Sequence, residues 1–511
     1  MTTGHKTVRR SALVKRAWFA VLLLAVQALV PPMAYAQLPA LGDGAEMSTS
    51  AERRLGDSIA REIYRDPDYI DDPVLVDYVQ GIWLRLIAAA RARGELSPEL
   101  DERFAWEVLL GRDRSVNAFA LPGGYMGVHL GLIAVVTSED ELASVLAHEL
   151  SHITQRHISR LMGQQSSQGP WLLAAMILGA LAASRNPQAA TAMIAGGQAV
   201  AIQGQLNFSR DMEREADRVG YGVMTQAGFE PQGFVGMFEK LQQANRFNDT
   251  GAFPYLRSHP LTTERIADMQ ARQQLLPHIA PASQTLVHAM LAARARGLSN
   301  TGVDSLRAAV NEADNSLMAP LSPARQAAVF YAAALAASGL REFAQAARWQ
   351  SRLEALVRDN APAVYQARLL GAELALAGAD PRRALEVLAP GSEGLKARPA
   401  LFLWARAMTQ IGPAAKVSEL LQTWVATRPH DAQAWELLSA AYAAQGLKLR
   451  AVRADAEAQA AHLDFAAAQN RLKAAQEMAR QGTNVDHIEA SIIDTRSREI
   501  GLLLREQALE R

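Results

Sequence analysis

The chain contains no cysteine. That excludes a disulfide framework, a thiolate nucleophile and a lipidated cysteine at a processed N-terminus. An excess of charge of either sign is also missing, because 52 Lys and Arg stand against 52 Asp and Glu. Nothing in that balance points to nucleic acid as the main partner. Long apolar runs are lacking too. The stretches at 17–30 and 171–183 stop short of the roughly 20 residues that cross a bilayer. With 511 residues, 49% of them hydrophobic, the chain can bury two or three cores without covalent staples.

What is present begins with an export signal. Lys6, Arg9, Arg10, Lys15 and Arg16 precede the apolar run, and Ala34-Tyr35-Ala36 closes it. This is the order of a cleaved signal peptide over 1–36; an uncleaved anchor is the alternative. Removing those five basic residues from 52 leaves 47 against 52 acidic ones, a net charge of −5. Export, size and the lack of cysteine together fit the periplasm. Residues 37–50, with Pro, Gly and Ser and little periodicity, read as a flexible start.

Helical spacing then appears over 51–65 and 73–93, where Val74, Leu75, Val79, Ile82, Trp83 and Leu86 share a face. Residues 104–110, 116–120 and 125–131 read as strands of a small sheet, with Pro122-Gly123-Gly124 as a turn. Ser138 followed by Glu141 forms a capping-box pattern for a helix from Glu139 to about Leu161. A second helix is expected from Ser209 to Ala227, ended by Gly228, and a third from Pro231 to Asn245. The segment 170–205 is poor in charge. It reads either as a buried helical hairpin or as a substrate-facing or membrane-facing surface. Beyond about residue 280, Ala-rich amphipathic helices alternate with short breaks. Gly378, Gly412 and Gly446 recur at 34 residues, as do Leu374, Met408 and Tyr442, and Leu370, Trp404 and Leu438. That is the period of tetratricopeptide repeats, helix-turn-helix units that bury their apolar faces by stacking.

The chemistry centres on His148-Glu149-Leu150-Ser151-His152. Two histidines four apart on a helix share a face and can reach one metal ion. Hydrolytic zinc needs a third protein ligand and an open position. In Glu213-Arg214-Glu215-Ala216-Asp217, Glu213 can ligate while Asp217, four residues on, holds an imidazole through its second nitrogen. Glu215 faces elsewhere. Glu149 is placed as general base and then general acid. His259, beside Pro260 in a loop, can gate the open position or donate to the oxyanion, and Arg265 is a weaker candidate cation.

Residues 117–124, the H-E-L-S-H segment, Ser209-Arg210 with the acidic motif, and Ser258-His259-Pro260 resemble the M48 peptidase family. The resemblance extends to its periplasmic protease–chaperones with C-terminal tetratricopeptide repeats. It implies an α+β zincin-like metallopeptidase domain over 51–275 and an all-α tetratricopeptide-repeat solenoid over 280–500; the final region from about 455 to 511 reads as helical and charged, with 501–511 as a tail. It also implies one Zn2+ held by His148, His152 and Glu213, with Glu149 catalytic and His259 on a plug-like loop that checks the enzyme. The implied clients are unfolded or misassembled outer-membrane proteins. The implied partners are the barrel-assembly machinery and the lipopolysaccharide export translocon, and peripheral membrane contact is left open. Two rival readings are a non-proteolytic repeat scaffold with a structural metal and an integral-membrane peptidase.

Overall fold

The computed structural model describes residues 47–164, 209–246, 252–274, 285–316, 321–388, 395–481 and 486–509. The signal-peptide reading and the 170–205 segment lie outside these residues. Described structure starts with α1 (Thr49–Arg65), whose first turn is capped by the Ser48 hydroxyl, so helix begins inside the segment read as flexible. Asp72 caps α2 (Pro73–Ala92), with proline in the first turn, where its missing N–H costs nothing. Helix α2 is long and apolar enough to cross a membrane by length and composition, yet Leu75, Val79, Trp83 and Leu86 are wholly buried in the core. The short α3 (Pro98–Arg103) follows.

A three-stranded sheet comes next: β1 (Glu107–Gly111), β2 (Ala118–Leu121) and β3 (Tyr125–His129). Its order is β1-β3-β2, with β1 parallel and β2 antiparallel to β3. The first strand starts later than its apolar pattern predicts, because Trp106 adopts φ 53° and breaks the extended run. Gly123 and Gly124 hold φ of 73° and 85°. A Cβ on Gly124 would stand 2.7 Å from that of Phe104, so this turn needs glycine twice over.

After α4 (Leu130–Val135) the chain enters α5 (Glu139–Thr154), buried from Glu141 to its end. The Ser138 hydroxyl accepts from the Glu141 N–H at 3.1 Å. The reciprocal arm of the capping box goes to the neighbouring residue, since Glu141 accepts the Thr137 N–H at 2.6 Å. The helix does not run on to Leu161 as its periodicity predicts. It stops at Thr154, Arg156 takes φ 53°, and α6 (His157–Gln164) starts afresh. Helix α7 (Arg210–Gln226) is capped by Ser209 and closed by Gly228 at φ 80°. It presses on α5 at Gly220, where a Cβ would meet the Ala147 and His148 backbone at 3.0 Å. Then come α8 (Gln232–Arg246), the single turn α9 (Tyr255–Ser258) and α10 (Thr263–Gln274).

The remainder is helical: α11 (Leu286–Ser299), α12 (Val303–Ser316), α13 (Pro323–Gly339), α14 (Phe343–Val357), α15 (Ala361–Ala377) and α16 (Pro381–Leu388). It continues through α17 (Arg398–Ile411), α18 (Ala414–Thr427), α19 (Ala432–Ala444), α20 (Lys448–Ala461), α21 (Phe465–Gln481) and α22 (His487–Leu509). The final region is helix as expected, with the described part of the 501–511 tail belonging to α22 as far as Leu509. Gly378, Gly412 and Gly446 all follow the first helix of a pair, after α15, α17 and α19. The molecule is thus a mixed α/β domain followed by a long all-α region.

The main core continues from Val79, Leu146 and Val219 into Leu291, Leu369 and Leu403 of the helical region. His288 is buried at that seam, between the Tyr78 hydroxyl (2.8 Å) and the Val136 carbonyl (2.9 Å). Two adjacent carboxylates are gripped there as well. Arg294 reaches Asp72 at 2.6 Å and Glu373 at 2.7 Å, and Arg398 reaches Asp71 at 2.7 Å and Asp431 at 3.0 Å.

Candidate metal centre

Helices α5 and α7 and the turn after α9 converge on one buried point. His148 and His152 lie on successive turns of α5, and their Nε2 atoms are 3.0 Å apart. Glu213 comes from the first turn of α7, with Oε2 3.5 Å from His148 Nε2 and Oε1 3.5 Å from His152 Nε2. His259 caps α9 and enters from the far side. Its Nδ1 is 2.9 Å from Glu213 Oε1 and 3.4 Å from His148 Nε2, and its ring stacks on Tyr255. One donor atom from each of these four residues lies within 4.8 Å of the others.

These residues fit a divalent metal. Ligands about 2.1 Å from one tetrahedral zinc sit roughly 3.4 Å from one another; five of the six donor pairs here are 2.9 to 3.5 Å apart, and the whole set lies within 4.8 Å. Two imidazole nitrogens 3.0 Å apart need a shared proton or a cation between them. Glu149 Oε1 is buried with His259 Nε2 at 3.3 Å as its polar neighbour, and Glu213 Oε2 is buried between Arg265 Nη1 at 2.8 Å and His148 Nε2 at 3.5 Å. Among the described residues, the buried carboxyl groups of Glu149, Glu213 and Asp217 share the centre with the buried guanidinium of Arg265, and a dication is a charge that balances them.

The electrostatics agree. Burial opposes charge on His148, but Asp217 and Glu213 prevail and push its pKa up to about 9, so positive charge is favoured at this point. Burial, reinforced by His148, drives His152 well below the usual imidazole range. Burial works against ionisation of Glu213, yet the imidazoles of His259 and His148 hold its carboxyl well below the usual carboxylate range. At Asp217 burial is likewise outweighed, here by Arg265, and the pKa is lowered.

The structure brings every predicted site residue to this centre, but not all to the same depth. Glu149 lies beside the cluster. Its Oε2 accepts the Ala120 N–H of β2 at 2.9 Å, and its Oε1 is 3.3 Å from His259 Nε2. Asp217 stands behind His148, 2.9 Å from Nδ1. Arg265 engages the two carboxylates of α7. It grips Asp217 at 2.6 and 2.8 Å and reaches Glu213 at 2.8 Å. Sequence reasoning missed His157, whose Nδ1 is 2.8 Å from His152 Nδ1. It also found no use for Glu215, which lies 3.0 Å from His157 Nε2. The spacing of His157, five residues from His152, is off the face that the two ligands share, so helix periodicity gives no signal for it.

A glutamate and two histidines on one buried helix, a carboxylate from a second helix, and a sheet edge alongside are the parts of a metallopeptidase. A family model for peptidase family M48 matches residues 77–273. The beta-barrel assembly-enhancing protease of Yersinia pestis is 30% identical over 427 residues, 82% of this chain and 83% of that one. Its namesake in Escherichia coli is 29% identical over 435 residues, covering 84% and 85%. A putative beta-barrel assembly-enhancing protease of Vibrio cholerae is 34% identical over 330 residues; the match spans 63% of this chain and 64% of the relative, just under two thirds of its length. The chain belongs to peptidase family M48, and its His/His/Glu cluster is consistent with a zinc metalloendopeptidase.

Proposed function

We propose that the chain is an exported zinc endopeptidase that cleaves unfolded or misassembled outer-membrane proteins in the periplasm. In this reading its helical region is a tetratricopeptide-repeat solenoid that receives clients and assembly machinery. The observation that carries the peptidase reading is the convergence of His148, His152 and Glu213 on one point with Glu149 at its side. The similarity to beta-barrel assembly-enhancing proteases supports the client class. The 34-residue recurrence of Gly378, Gly412 and Gly446, each just after the first helix of a pair, supports the repeat type.

His148, His152 and Glu213 would hold the zinc, with Asp217 orienting His148 and Arg265 neutralising Asp217 and Glu213. Zinc, when bound, polarises a peptide carbonyl and acidifies water. Glu149 supplies the proton transfers. The Ala120 N–H fixes one carboxylate oxygen, which leaves Oε1 to accept a proton from the attacking water and return it to the leaving amine as the C–N bond breaks. Strand β2 is the outer strand of the sheet on this side, and an extended substrate pairing along it would lie past Glu149. His259 sits where a substrate carbonyl would have to enter, so the arrangement is a closed, resting one.

That closure also favours a second reading, in which the centre stays shut and the helical region acts as a non-proteolytic chaperone. The deciding experiment measures zinc content and cleavage of an unfolded outer-membrane β-barrel protein for the intact chain and for Glu149→Gln. Zinc in both with cleavage only by the former supports the enzyme. A fully zinc-loaded chain that cleaves nothing, even with His259→Ala, supports the scaffold.

A further inference from the structure

The two imidazoles of the centre are backed in different ways. His148 Nδ1 faces a carboxylate directly, Asp217 at 2.9 Å. His152 Nδ1 faces a third imidazole, that of His157, at 2.8 Å. His157 Nε2 in turn lies 3.0 Å from Glu215 Oε2, which Arg160 also contacts at 2.9 Å. With both imidazoles neutral, one pattern of protons satisfies this chain. An ionised carboxylate only accepts, so His157 carries its proton on Nε2 and gives it to Glu215. Its Nδ1 is then an acceptor and takes the His152 Nδ1–H. His152 Nε2 is left with its lone pair directed at the point shared by His148 and Glu213.

We propose that His157 is a positioning residue for the metal centre. It sets the tautomer and ring angle of His152, with Glu215 anchoring the pair, and so does for the second histidine what Asp217 does for the first. The proposal rests on the reading of His148, His152 and Glu213 as zinc ligands. The placement is built into the backbone. Arg156, at φ 53°, turns the chain between α5 and α6, and its guanidinium is held by Glu52 at 3.1 Å and by the Met47 carbonyl. His157 is fully buried behind that turn. With Glu215, all three acids of the α7 motif then serve the centre: Glu213 at the ion, Asp217 behind His148, and Glu215 behind His157.

The test compares His157→Leu and His157→Gln in the full chain. Zinc affinity is read by chelator competition, the visible spectrum is read after cobalt substitution, and metal-free melting checks the fold. Leucine fills the space without an acceptor, and affinity is expected to fall about 10- to 100-fold with an altered cobalt spectrum. Glutamine can accept from His152 and donate to Glu215, and is expected to restore affinity to within a few-fold. A folded leucine variant with unchanged affinity and spectrum overturns the proposal, as does a folded glutamine variant that loses as much as leucine. Nitrogen-15 imidazole spectra of the unmodified zinc protein test it without any substitution. A neutral His157 protonated at Nε2 is expected, and one protonated at Nδ1 or at both nitrogens overturns it. A chain that binds no zinc at all fails the underlying reading first, so the two failures are distinguishable.

Discussion

Glu149 and His259 make opposite demands on the same space. Glu149 is buried with one carboxylate oxygen tied to the Ala120 N–H and the other 3.3 Å from His259 Nε2. Its glutamine replacement keeps the shape and the capacity to accept that N–H, but not the basicity. Glu149→Gln is therefore expected to bind zinc like the unsubstituted chain while losing at least a hundredfold in turnover, read by metal analysis beside peptide cleavage. His259 is expected to behave in the reverse sense. It contributes a fourth donor to the cluster from the end of the one-turn helix α9. His259→Ala is expected to raise cleavage of an unfolded substrate several-fold at little cost in melting temperature. Unchanged or lower cleavage at full zinc loading would mean that His259 does not restrain the site.

Which parts of the centre were legible in the sequence follows from helix geometry. His148 and His152, and likewise Glu213 and Asp217, are four apart and stay on one face as long as each helix is continuous, so their convergence could be read directly. His157 could not. At five residues from His152 it would lie roughly 140° round an unbroken helix, and the apolar pattern gave no sign that α5 stops at Thr154. The break depends on Arg156 and its partners Glu52 and Met47, about a hundred residues earlier in the chain. The sequence offers Arg265 as a candidate cation without naming its partner, because a lone arginine near a site carries no mark of what it will pair with. The paired carboxylates that claim it belong to another helix. Helix contact also decides Gly220, where a side chain would press on the Ala147 and His148 backbone at 3.0 Å. Gly220→Val is expected to push α7 off α5, lowering melting temperature and zinc affinity together. Gly81→Ala, in α2 with nothing within 4 Å, is the contrasting control. It is expected to be neutral or to stabilise by about 0.5–1 kcal/mol through helix propensity.

At the scale of the whole molecule, the α/β domain and the helical region are joined by buried charge as well as apolar contact. Asp72 caps α2 and is gripped by Arg294, with both side chains buried. Arg294→Met would leave that carboxylate unpaired, and is expected to cost about 3–5 kcal/mol in denaturant unfolding. Nearby, a cavity of about 590 Å³ is lined by Tyr64, Tyr69 and Glu107 from the first region and by Arg398, Asp431 and His462 from the second. Burial pushes the Glu107 carboxyl up from its ordinary 4.5 to about 7, although the Tyr64 hydroxyl, donating at 2.8 Å, works the other way. The folded chain thus holds a proton on Glu107 that the unfolded chain has released between about pH 4.5 and 7. Stability therefore falls as pH rises through that window, by an amount on the order of 3 kcal/mol. Glu107→Gln, which keeps the size without the charge, removes this loss. Denaturant unfolding of both chains at pH 5 and pH 8 is expected to show the glutamine variant gaining on the unsubstituted chain as pH rises. A difference between the two that does not change with pH would show that Glu107 ionises in the folded chain as freely as in water.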